Sequence, residues 1–324
     1  MGLRYGVGGD TVVYMAEYVW IPELKDYTII SPNRFDPGFN LLMSIGKTIY
    51  DQFVSFQFLH ILILNSLLFT IISKYSRYKF SVFFCTLFIF YYYFATEVLR
   101  ESLSVLMFVY FYKYYERKQW GKFVLIVFCC ALLHRSALFL LILPFLSGIR
   151  FNRYFPAIFI ATIVLGIMMN HIFSILNQII FIADNSQNYQ NDTSHGLLAD
   201  ILNFLRKAGF PLIICLLIKK SKKHIMFENP NALLVLFGCL ALFSPIIFSR
   251  LTNYFIVFFT IMLGNYLTNL LKSRKTILQR NAIVLTSTFI MLYGSSFIMY
   301  NYYSRLIPYY SVFNPVSVNR DSFK

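Results

Sequence analysis

Charged residues are scarce in this 324-residue chain, at 13% of the total. Soluble globular domains carry roughly 25%, so this scarcity excludes a water-soluble enzyme. Hydrophobic residues make up 58% of the chain, which excludes a disordered protein. Apolar runs of roughly 20 residues recur, and each can cross a bilayer core of about 30 Å. The short alternating segments of a transmembrane β-barrel are missing. The sequence therefore predicts an all-α, polytopic integral membrane protein.

Motifs for metal, nucleotide and redox chemistry are also missing. All five cysteines lie inside apolar runs, and no pair has metal-ligand spacing. We expect them to be small core residues. The chain contains neither a GxxxxGK[ST] loop nor an HExxH motif. We therefore expect no metal site and no cofactor.

Ten apolar segments are typical of transmembrane or half-membrane helices. They lie at about 53–72, 80–96, 98–112, 123–133, 136–147, 155–171, 197–218, 231–248, 252–271 and 281–300. Together they form a transmembrane helical domain over residues 53–300. We expect an extracytoplasmic segment with short helices over residues 1–52 and an extracytoplasmic tail over residues 301–324.

Positive charge is unevenly distributed along the chain, whose formal net charge is +15. Five loops after alternate spans hold 17 of the 29 Lys and Arg residues against two acidic residues, whereas everything else holds 12 of each sign. These loops contain SKYSRYK, KYYERKQWGK, GIRFNR, KKSKKH and KSRKTILQR, and their two acidic residues are Glu116 and Glu228, the latter shortly after KKSKKH. By the positive-inside rule, they face the cytoplasm. The basic excess thus indicates membrane topology, and no nucleic acid partner is needed to explain it.

Two long apolar runs must be interrupted. A single span over residues 123–147 would put His134 and Arg135 at the bilayer centre, where an arginine costs about 2.5–3.5 kcal/mol. We therefore predict a hairpin that turns near His134. The run that contains Glu97 is too long for one span, and we predict another turn near residues 94–96. With both hairpins, the number of spans is even and both termini lie outside.

Three charged residues and a serine follow the turn near residues 94–96 at helical spacing. They are Glu97, Arg100, Glu101 and Ser104. Their spacing of i, i+3, i+4 and i+7 predicts one shared helix face. An arginine there suits an anionic ligand, because a guanidinium binds phosphate oxygens bidentately. A nearby carboxylate can act as a base toward a hydroxyl. The alternative is a structural ion pair between Glu97 and Arg100.

Further candidates lie at other turns and spans. His134 and Arg135 occupy the tip of the hairpin over residues 123–147. There His134 is either a functional or a structural histidine. Arg250 lies at an outer end between two spans and is either a ligand-binding residue or a headgroup anchor. Arg206 and Lys207 sit roughly 13 Å into their span. There they either line a cavity or begin an amphipathic helix.

Several segments resemble the EpsG family of bacterial exopolysaccharide biosynthesis proteins, which is related to the Wzy-type polysaccharide and O-antigen polymerases. The resemblance covers nearly the whole chain. Its most specific part is VLRESLSVLMFVYFYKYYERKQWGKF followed by CCALLHRSALFLLILPFL, where Glu101 replaces a usual Gln and Arg135 fills the x of HxSAL. RFDPGFNLL is similar to another family segment, with Asp36 where Glu is more usual. LRYGVGGDTVVYMAEY, SRLTNYF and RLIPYYSVF fit as well.

This resemblance implies a metal-independent membrane glycosyltransferase on the outer face of the bacterial inner membrane. Its substrates would be oligosaccharide repeat units linked to polyprenyl pyrophosphate. The growing glycan would pass from its lipid pyrophosphate to a hydroxyl of the next unit. Such a reaction requires positive charge where the leaving pyrophosphate develops its own charge, and Arg100 and Arg250 are the candidates. Asp10, Glu97 and Glu101 are candidates for activating the acceptor.

The expected site can now be stated in full. Its catalytic candidates are Arg100, Arg250, His134, Glu97 and Glu101, and its substrate-binding candidates are Arg4, Asp10, Arg135 and Arg206. The expected partners are the lipid-linked oligosaccharide, membrane lipids and other polysaccharide assembly proteins. Family members usually carry a transmembrane helix before the RYGVGGD segment, whereas Met1 stands almost against it here. Either the start is assigned late or this member lacks that helix.

Two other classes of function remain open from the residues. A lipid-linked glycan flippase would also need basic residues in a cavity, although flippases and other transporters often contain internal repeats and the two halves of this chain show none. A polysaccharide O-acyltransferase could use His134 as its base. Deletion of the gene distinguishes these three functions. Loss of a polymerase leaves single repeats on the lipid carrier at the outer face, and loss of a flippase leaves them facing the cytoplasm. Loss of an acyltransferase leaves long chains without acyl groups.

The charge distribution generates a topology prediction. Both termini, the loop around Asn191 and Arg250 should face outside, while KKSKKH faces the cytoplasm. Cysteines introduced at Ser194 and Ser221 should therefore react with a membrane-impermeant reagent from opposite sides. Labelling of both positions from the same side would contradict this topology.

Overall fold

A computed structural model describes residues 2–4, 6–29, 35–167, 204–220, 225–243, 245–272, 277, 280–281, 283–290 and 313. The chain divides into two compact units. The first comprises residues 1–79, 83–138 and 290–324, and the second comprises residues 80–82 and 139–289. Each unit is described by itself.

Helices dominate the described residues from the N-terminus to residue 167. They are α1 (Gly9–Tyr18), a 3₁₀ turn (Leu24–Asp26), α2 (Pro37–Ile49), α3 (Phe53–Tyr75), α4 (Lys79–Thr86), a π-helix (Leu87–Tyr91), α5 (Tyr92–Thr96), α6 (Leu99–Phe111), α7 (Lys113–Glu116), α8 (Trp120–Leu133), a 3₁₀-helix (Arg135–Leu146) and α9 (Phe155–Ile167). The expected all-α class is confirmed.

The later described residues are helical as well. They form a second π-helix (Leu205–Gly209), α10 (Phe210–Lys220), α11 (Glu228–Leu240) and α12 (Pro245–Lys272). Residues 283–290 are also helical. Our expectations for residues 171–196, including the loop around Asn191, and for the C-terminal tail lie outside the described residues, apart from residue 313.

Three helices among the described residues are long and apolar enough to cross a membrane. They are Phe53–Tyr75, Lys79–Thr96 and Phe248–Lys272. Trp120–Leu133, Arg135–Leu146 and Phe155–Ile167 are apolar but shorter. The expected number of about ten transmembrane or half-membrane helices is therefore not confirmed. Several candidates fall short of the ~20 residues that a full span requires, and others extend beyond the described part of the chain.

An interruption lies directly after residues 94–96, where we expected the turn, and residues 94–96 themselves are helical. α5 ends at Thr96, and α6 begins only at Leu99 after the non-helical Val98. Glu97 therefore precedes α6, and our expectation that it shares a face of that helix with Arg100 is wrong. The spacing argument assumed unbroken helical geometry, which Val98 interrupts with φ −104° and ψ 60°.

The interruption expected at His134 is also present. α8 ends at Leu133, and His134 adopts an extended backbone with φ −157° and ψ 117°. The following twelve residues form a 3₁₀-helix that contains Pro144. Such a long 3₁₀ run is unusual. His134 itself is buried, with 3% of its surface exposed. A straight α-helix through this position is thereby excluded, whereas the side of the membrane on which the two legs end remains a prediction.

An aromatic core holds the first unit together. Its buried members are Tyr14, Tyr18, Ile21, Phe35, Phe39, Met43, Phe56 and Leu99. The rings of Phe39 and Phe56 meet edge to face with centroids 5.3 Å apart, a favourable arrangement for aromatic pairs. This core joins α1, α2, α3 and the start of α6, so it fixes where the polar ends of these helices lie.

The second unit is built around the pair α11 and α12. Phe237 of α11 stacks on Phe255 of α12 with ring centroids 5.7 Å apart. Gly238 lets the second π-helix approach α11, because a Cβ at this position would lie 2.6 Å from the carbonyl oxygen of Lys207. At the end of the 3₁₀-helix, Asn229 donates hydrogen bonds to the carbonyl oxygens of Leu146 and Ile149, both at 2.9 Å.

Close packing of α2 on α3 generates a stability prediction. A Cβ at Gly46 would lie 2.7 Å from the Phe56 Cα atom, which is backbone and cannot swing away. Gly46→Ala should therefore lower stability by about 1–3 kcal/mol, the usual cost of overpacking. Gly121→Ala is the matched control, because its Cβ would meet no atom within 4 Å. We expect the thermal midpoint of the detergent-solubilised protein to fall only for Gly46→Ala, and equal midpoints would contradict the packing argument.

Candidate functional site

A buried aspartate lies at the centre of a cluster of ionisable side chains in the first unit. Asp36 Oδ2 lies 3.6 Å from Arg100 Nη1 and 3.5 Å from His134 Nδ1. The other oxygen, Oδ1, lies 3.5 Å from Arg135 Nε. Three segments that are far apart in sequence thus meet at one carboxylate.

A second carboxylate extends the cluster through the histidine. Glu101 Oε2 lies 3.8 Å from His134 Nε2, so each ring nitrogen of His134 faces a carboxylate. We define the ionic cluster as Asp36, Arg100, Glu101, His134 and Arg135. All but Asp36 were expected from the sequence to belong to the site, and the structure brings these four together.

Helix ends supply every member of the ionic cluster. Asp36 is the N-cap residue of α2, Glu101 lies in the first turn of α6, and His134 is the C-cap residue of α8. Helix N-termini favour negative charge and C-termini favour positive charge, by about 0.3–1 kcal/mol each. Both carboxylates therefore occupy favourable helix ends. The Asp36 side chain makes no capping hydrogen bond to α2, so its oxygens remain directed to the cluster.

Burial makes these charges dependent on one another. The side chains of His134, Glu101 and Asp36 are 4%, 5% and 9% exposed, and that of Arg100 is 14% exposed. Arg135 is the most open member, with 30% of its side chain exposed. Removing a charge from water costs several kcal/mol unless it is paired. Two carboxylates and two guanidiniums balance formally here.

The ion pairs of the cluster are loose. Their separations of 3.5–3.8 Å exceed the ~2.7–2.9 Å of a direct charge-assisted hydrogen bond. In addition, Arg100 lies over the Phe35 ring, with its guanidinium carbon 4.9 Å from the ring centroid. The aromatic ring supports the guanidinium from one side, because its π face attracts a cation. This geometry holds Arg100 between the Phe35 ring and the Asp36 carboxylate.

Ser104 links the site to α8. Its hydroxyl donates a hydrogen bond of 3.0 Å to the carbonyl oxygen of Cys130. This carbonyl also accepts a bond from the His134 backbone N–H at 2.9 Å. Ser104 therefore positions the end of α8, one turn after Arg100 on α6.

Glu97 and Asp10 lie together at the neighbouring helix break. The backbone N–H of Asp10 donates to Glu97 Oε2 at 3.4 Å, and the Thr11 hydroxyl donates to the carbonyl oxygen of Thr96 at 3.1 Å. Gly8 makes this contact possible with a φ of 106°, and a Cβ there would lie 2.2 Å from the same carbonyl. The start of α1 thus covers the break. An ion pair of Arg100 is formed with Asp36.

Arg4 is deeply buried in the first unit, with 1% of its surface exposed. Its Nε atom donates to the Val7 carbonyl oxygen at 3.3 Å. Its own carbonyl oxygen accepts a bond of 2.8 Å from Gln57 of α3. These bonds anchor the N-terminal loop to α3. A role for Arg4 in substrate binding stays a prediction.

The remaining candidates belong to the second unit. Arg206 lies in the second π-helix and is half-buried. Its neighbour Lys207 donates a hydrogen bond of 2.6 Å to the Ser249 hydroxyl on α12. Arg250 follows directly on α12 and is also half-buried. π-Helical turns are frequent at functional sites, so this basic group keeps its place among the candidates.

Sequence reasoning missed two residues of the first unit. Asp36 was noted only as a departure from a family segment, although its position before the Pro37 of a helix start marks it as a polar residue at a helix end. His60 carried no partner pattern, yet it is fully buried on α3. Its Nε2 lies 2.9 Å from the Leu99 carbonyl oxygen and donates to it. His60 therefore fixes the first turn of α6 beside Arg100.

No group of three or more His, Cys, Asp or Glu residues is placed to hold a metal ion within the described part of the chain. The side chains of the ionic cluster offer two kinds of chemistry. Its two guanidiniums can bind phosphate oxygens in a bidentate manner. Its carboxylates and imidazole can accept a proton.

Comparison with known proteins gives one match. The model of the EpsG family matches residues 1–311, which is nearly the whole chain. No curated protein and no solved structure matches.

The ionic cluster generates a prediction for Asp36. Asp36→Asn leaves two guanidiniums without their carboxylate, and breaking a buried ion pair costs about 3–5 kcal/mol. We expect a large fall in the temperature at which the detergent-solubilised protein loses its monodisperse peak on size exclusion. Asp51→Asn is the control, because this carboxylate is 75% exposed and its pair with Lys47 contributes at most about 1 kcal/mol.

A second variant tests the electrostatic cause. Combining Asp36→Asn with Arg100→Gln restores a formal balance of charge in the cluster, so the double variant should be more stable than Asp36→Asn alone. Additive losses, or equal midpoints for the Asp36 and Asp51 variants, would contradict the assigned role of Asp36.

Proposed function

The chain belongs to the EpsG family, and we propose that it polymerises lipid-linked oligosaccharide repeat units in the synthesis of exopolysaccharide, capsule or O-antigen. Family membership assigns it to membrane polysaccharide biosynthesis, and EpsG-type proteins are Wzy-like polymerases. The apolar helices agree with a membrane protein. The substrate we propose is an oligosaccharide carried on polyprenyl pyrophosphate.

One observation carries this proposal: a carboxylate buried between two arginines at the ends of three apolar helices. Arg100 and Arg135 approach Asp36 from different helices. Two guanidiniums that converge on one small anion have the charge and the donor geometry to hold a phosphate group. We propose that the pyrophosphate of the lipid carrier takes the position of the Asp36 carboxylate between them. Asp36 then serves as the counter-ion of the two guanidiniums when no pyrophosphate is bound.

The N-termini of α2 and α6 support an anion at the same place. Backbone N–H groups at a helix N-terminus point outward and favour negative charge. Asp36 marks the start of α2, and Arg100 lies in the first turn of α6. Two helix ends and two guanidiniums therefore act on the pyrophosphate with the same sign.

The proposed reaction forms one bond and breaks one bond. A sugar hydroxyl of the acceptor unit attacks the anomeric carbon of the donor glycan. The bond from this carbon to the pyrophosphate oxygen breaks, and the lipid pyrophosphate leaves with the electron pair. The arginines stabilise the negative charge that develops on this leaving group, which is where fixed positive charge is most effective. The role expected for Arg250 stays a prediction.

The proton of the acceptor hydroxyl requires a base. His134 lies between Asp36 and Glu101, with one ring nitrogen toward each. A carboxylate that faces one nitrogen fixes the orientation of an imidazole. The proton therefore passes to His134 or directly to one of the two carboxylates. Glu97 and Asp10, which lie together at the helix break, are the further candidates for binding the acceptor.

The membrane face of the reaction follows from the distribution of charge. The basic loops face the cytoplasm by the positive-inside rule, so the helix ends that carry Arg100 and His134 face outside. We propose that the chain works in the bacterial inner membrane and receives its substrate on the extracytoplasmic face. Other polysaccharide assembly proteins would supply this substrate and receive the product.

Arg100 provides the test of this function. Lysine retains the charge but loses the bidentate fork. Arg100→Lys should therefore be nearly as harmful as Arg100→Ala, because the loss of one preorganised donor to a developing anion costs about 2.7–4 kcal/mol, or on the order of 10²–10³ in rate. The measurement is glycan chain length in a strain that lacks the gene and is complemented with each variant, with membrane protein levels matched by blot.

Arg77 offers a matched control for this experiment. It is an exposed arginine between α3 and α4, outside the ionic cluster. Arg77→Lys and Arg77→Ala should both leave chain length unchanged. If Arg100 is only a structural partner of Asp36, lysine should restore long chains. Normal chain length from the Arg100→Lys strain would therefore overturn the pyrophosphate-binding role, and accumulation of single repeats at the cytoplasmic face would indicate a flippase instead.

A further inference from the structure

An apolar groove begins directly beside the ionic cluster. Its volume is about 190 Å³, and it is lined by side chains of α2, α3, α6 and α8. The wall residues used below are Gly38, Ile63, Leu67, Leu103, Met107 and Leu133. Leu103 is buried, whereas Ile63, Leu67, Met107 and Leu133 are half-buried. The groove is therefore open along one side.

Three helices contribute both to the ionic cluster and to the groove. On α2, Gly38 follows two residues after Asp36. On α6, Leu103 lies one turn beyond Arg100, so it points to nearly the same side of the helix. On α8, Leu133 directly precedes His134, which belongs to the cluster. The ionic cluster and the apolar wall are therefore within three residues of each other on each of these helices.

Gly38 is a requirement for this arrangement. A Cβ at this position would lie 2.8 Å from the Leu132 carbonyl oxygen, so only glycine lets the start of α2 lie this close to the end of α8. The close approach brings Asp36 to His134 and at the same time joins the walls of the groove. The ionic cluster and the groove therefore depend on the same close packing of α2 against α8.

We propose that the groove binds the first isoprene unit of the polyprenyl chain, the one that is attached to the pyrophosphate. This inference rests on the proposed function, because it places the pyrophosphate at Arg100 and Arg135. A dry apolar cavity of about 150 Å³ holds a benzene ring. A groove of about 190 Å³ therefore has room for slightly more than one five-carbon unit, and the rest of the chain continues into the membrane.

The chemistry of the wall favours a prenyl chain over a membrane phospholipid. In a prenyl pyrophosphate, hydrocarbon follows the phosphate directly. In a phospholipid, a glycerol with two ester carbonyls stands between the phosphate and the acyl chains. Those carbonyls would lie against the apolar wall without hydrogen-bond donors, which costs free energy for each buried polar group. A groove that becomes apolar within a few residues of the charges fits the prenyl lipid.

The experiment introduces a bulky side chain on α3 that occupies the groove. Ile63→Trp places a large side chain in the wall, and Leu67→Trp does so one turn later, in case the first variant folds poorly. Leu62→Trp is the matched control, because Leu62 is on the same helix with 53% of its surface exposed and is not part of the wall. Binding of farnesyl pyrophosphate and of inorganic pyrophosphate is measured on the full-length protein in detergent micelles, with thermal midpoints as the check on folding.

We expect wild type to bind farnesyl pyrophosphate at least about tenfold more tightly than inorganic pyrophosphate, because the buried hydrocarbon adds affinity. Ile63→Trp and Leu67→Trp should remove this advantage and leave the affinity for inorganic pyrophosphate within about twofold of wild type. Leu62→Trp should bind both probes like wild type. Arg100→Ala should weaken both probes, since it removes a ligand of the phosphate.

Two results separate the failure of this inference from the failure of the proposed function. In the first, both probes bind through Arg100, but Ile63→Trp and Leu67→Trp bind farnesyl pyrophosphate like wild type. This result would contradict the groove assignment and leave the proposed function intact. If wild type binds neither probe, both fall. Displacement of farnesyl pyrophosphate by equimolar phosphatidylglycerol would also overturn the assignment, because the groove would then be a site for bulk lipid.

Discussion

The structure of the first unit depends on one electrostatic constraint: a carboxylate that is nine-tenths buried must be matched by positive charge. Asp36 meets this constraint with Arg100, Arg135 and the His134 ring, at 3.5–3.6 Å. An unmatched charge in an apolar surrounding costs several kcal/mol, so the three helix ends are held together by the need to share it. The aromatic core beneath and the start of α1 at the Glu97 break then fix these ends in position.

The same constraint connects structure to chemistry. Two guanidiniums that pair with an aspartate present the same donors that a phosphate group requires. Their separations from Asp36 are 3.5–3.6 Å, which is longer than a direct charge-assisted hydrogen bond. The adjoining apolar groove adds hydrocarbon binding to anion binding. An amphiphile with its negative charge next to its hydrocarbon is the kind of molecule that both features favour.

Much of the fold could be predicted from the sequence because its causes are local. Apolar length indicated helices near residues 53–72 and 80–96, and the cost of a charge in the bilayer indicated breaks before Leu99 and at His134. What could not be predicted arises from contacts across long separations. No pattern in the sequence around Asp36 predicts its ion pair with Arg100. Likewise, no pattern around His60 predicts its hydrogen bond to the carbonyl oxygen of Leu99. The assignment of Glu97 to a face of α6 failed because spacing alone does not show where a helix starts.

The distribution of the ionic cluster along the chain has a consequence for assembly during synthesis. The ribosome releases Asp36 first, then Arg100, and only later His134 and Arg135, so the members of the cluster reach the membrane at separate times. α6 cannot settle in an apolar surrounding while its arginine lacks its share of Asp36, and α2 cannot close against α8 before Leu132 has been made. The contacts of Asp36 with His134 and Arg135, and the close approach of α2 to α8, therefore form only after residues 132–135 have been made.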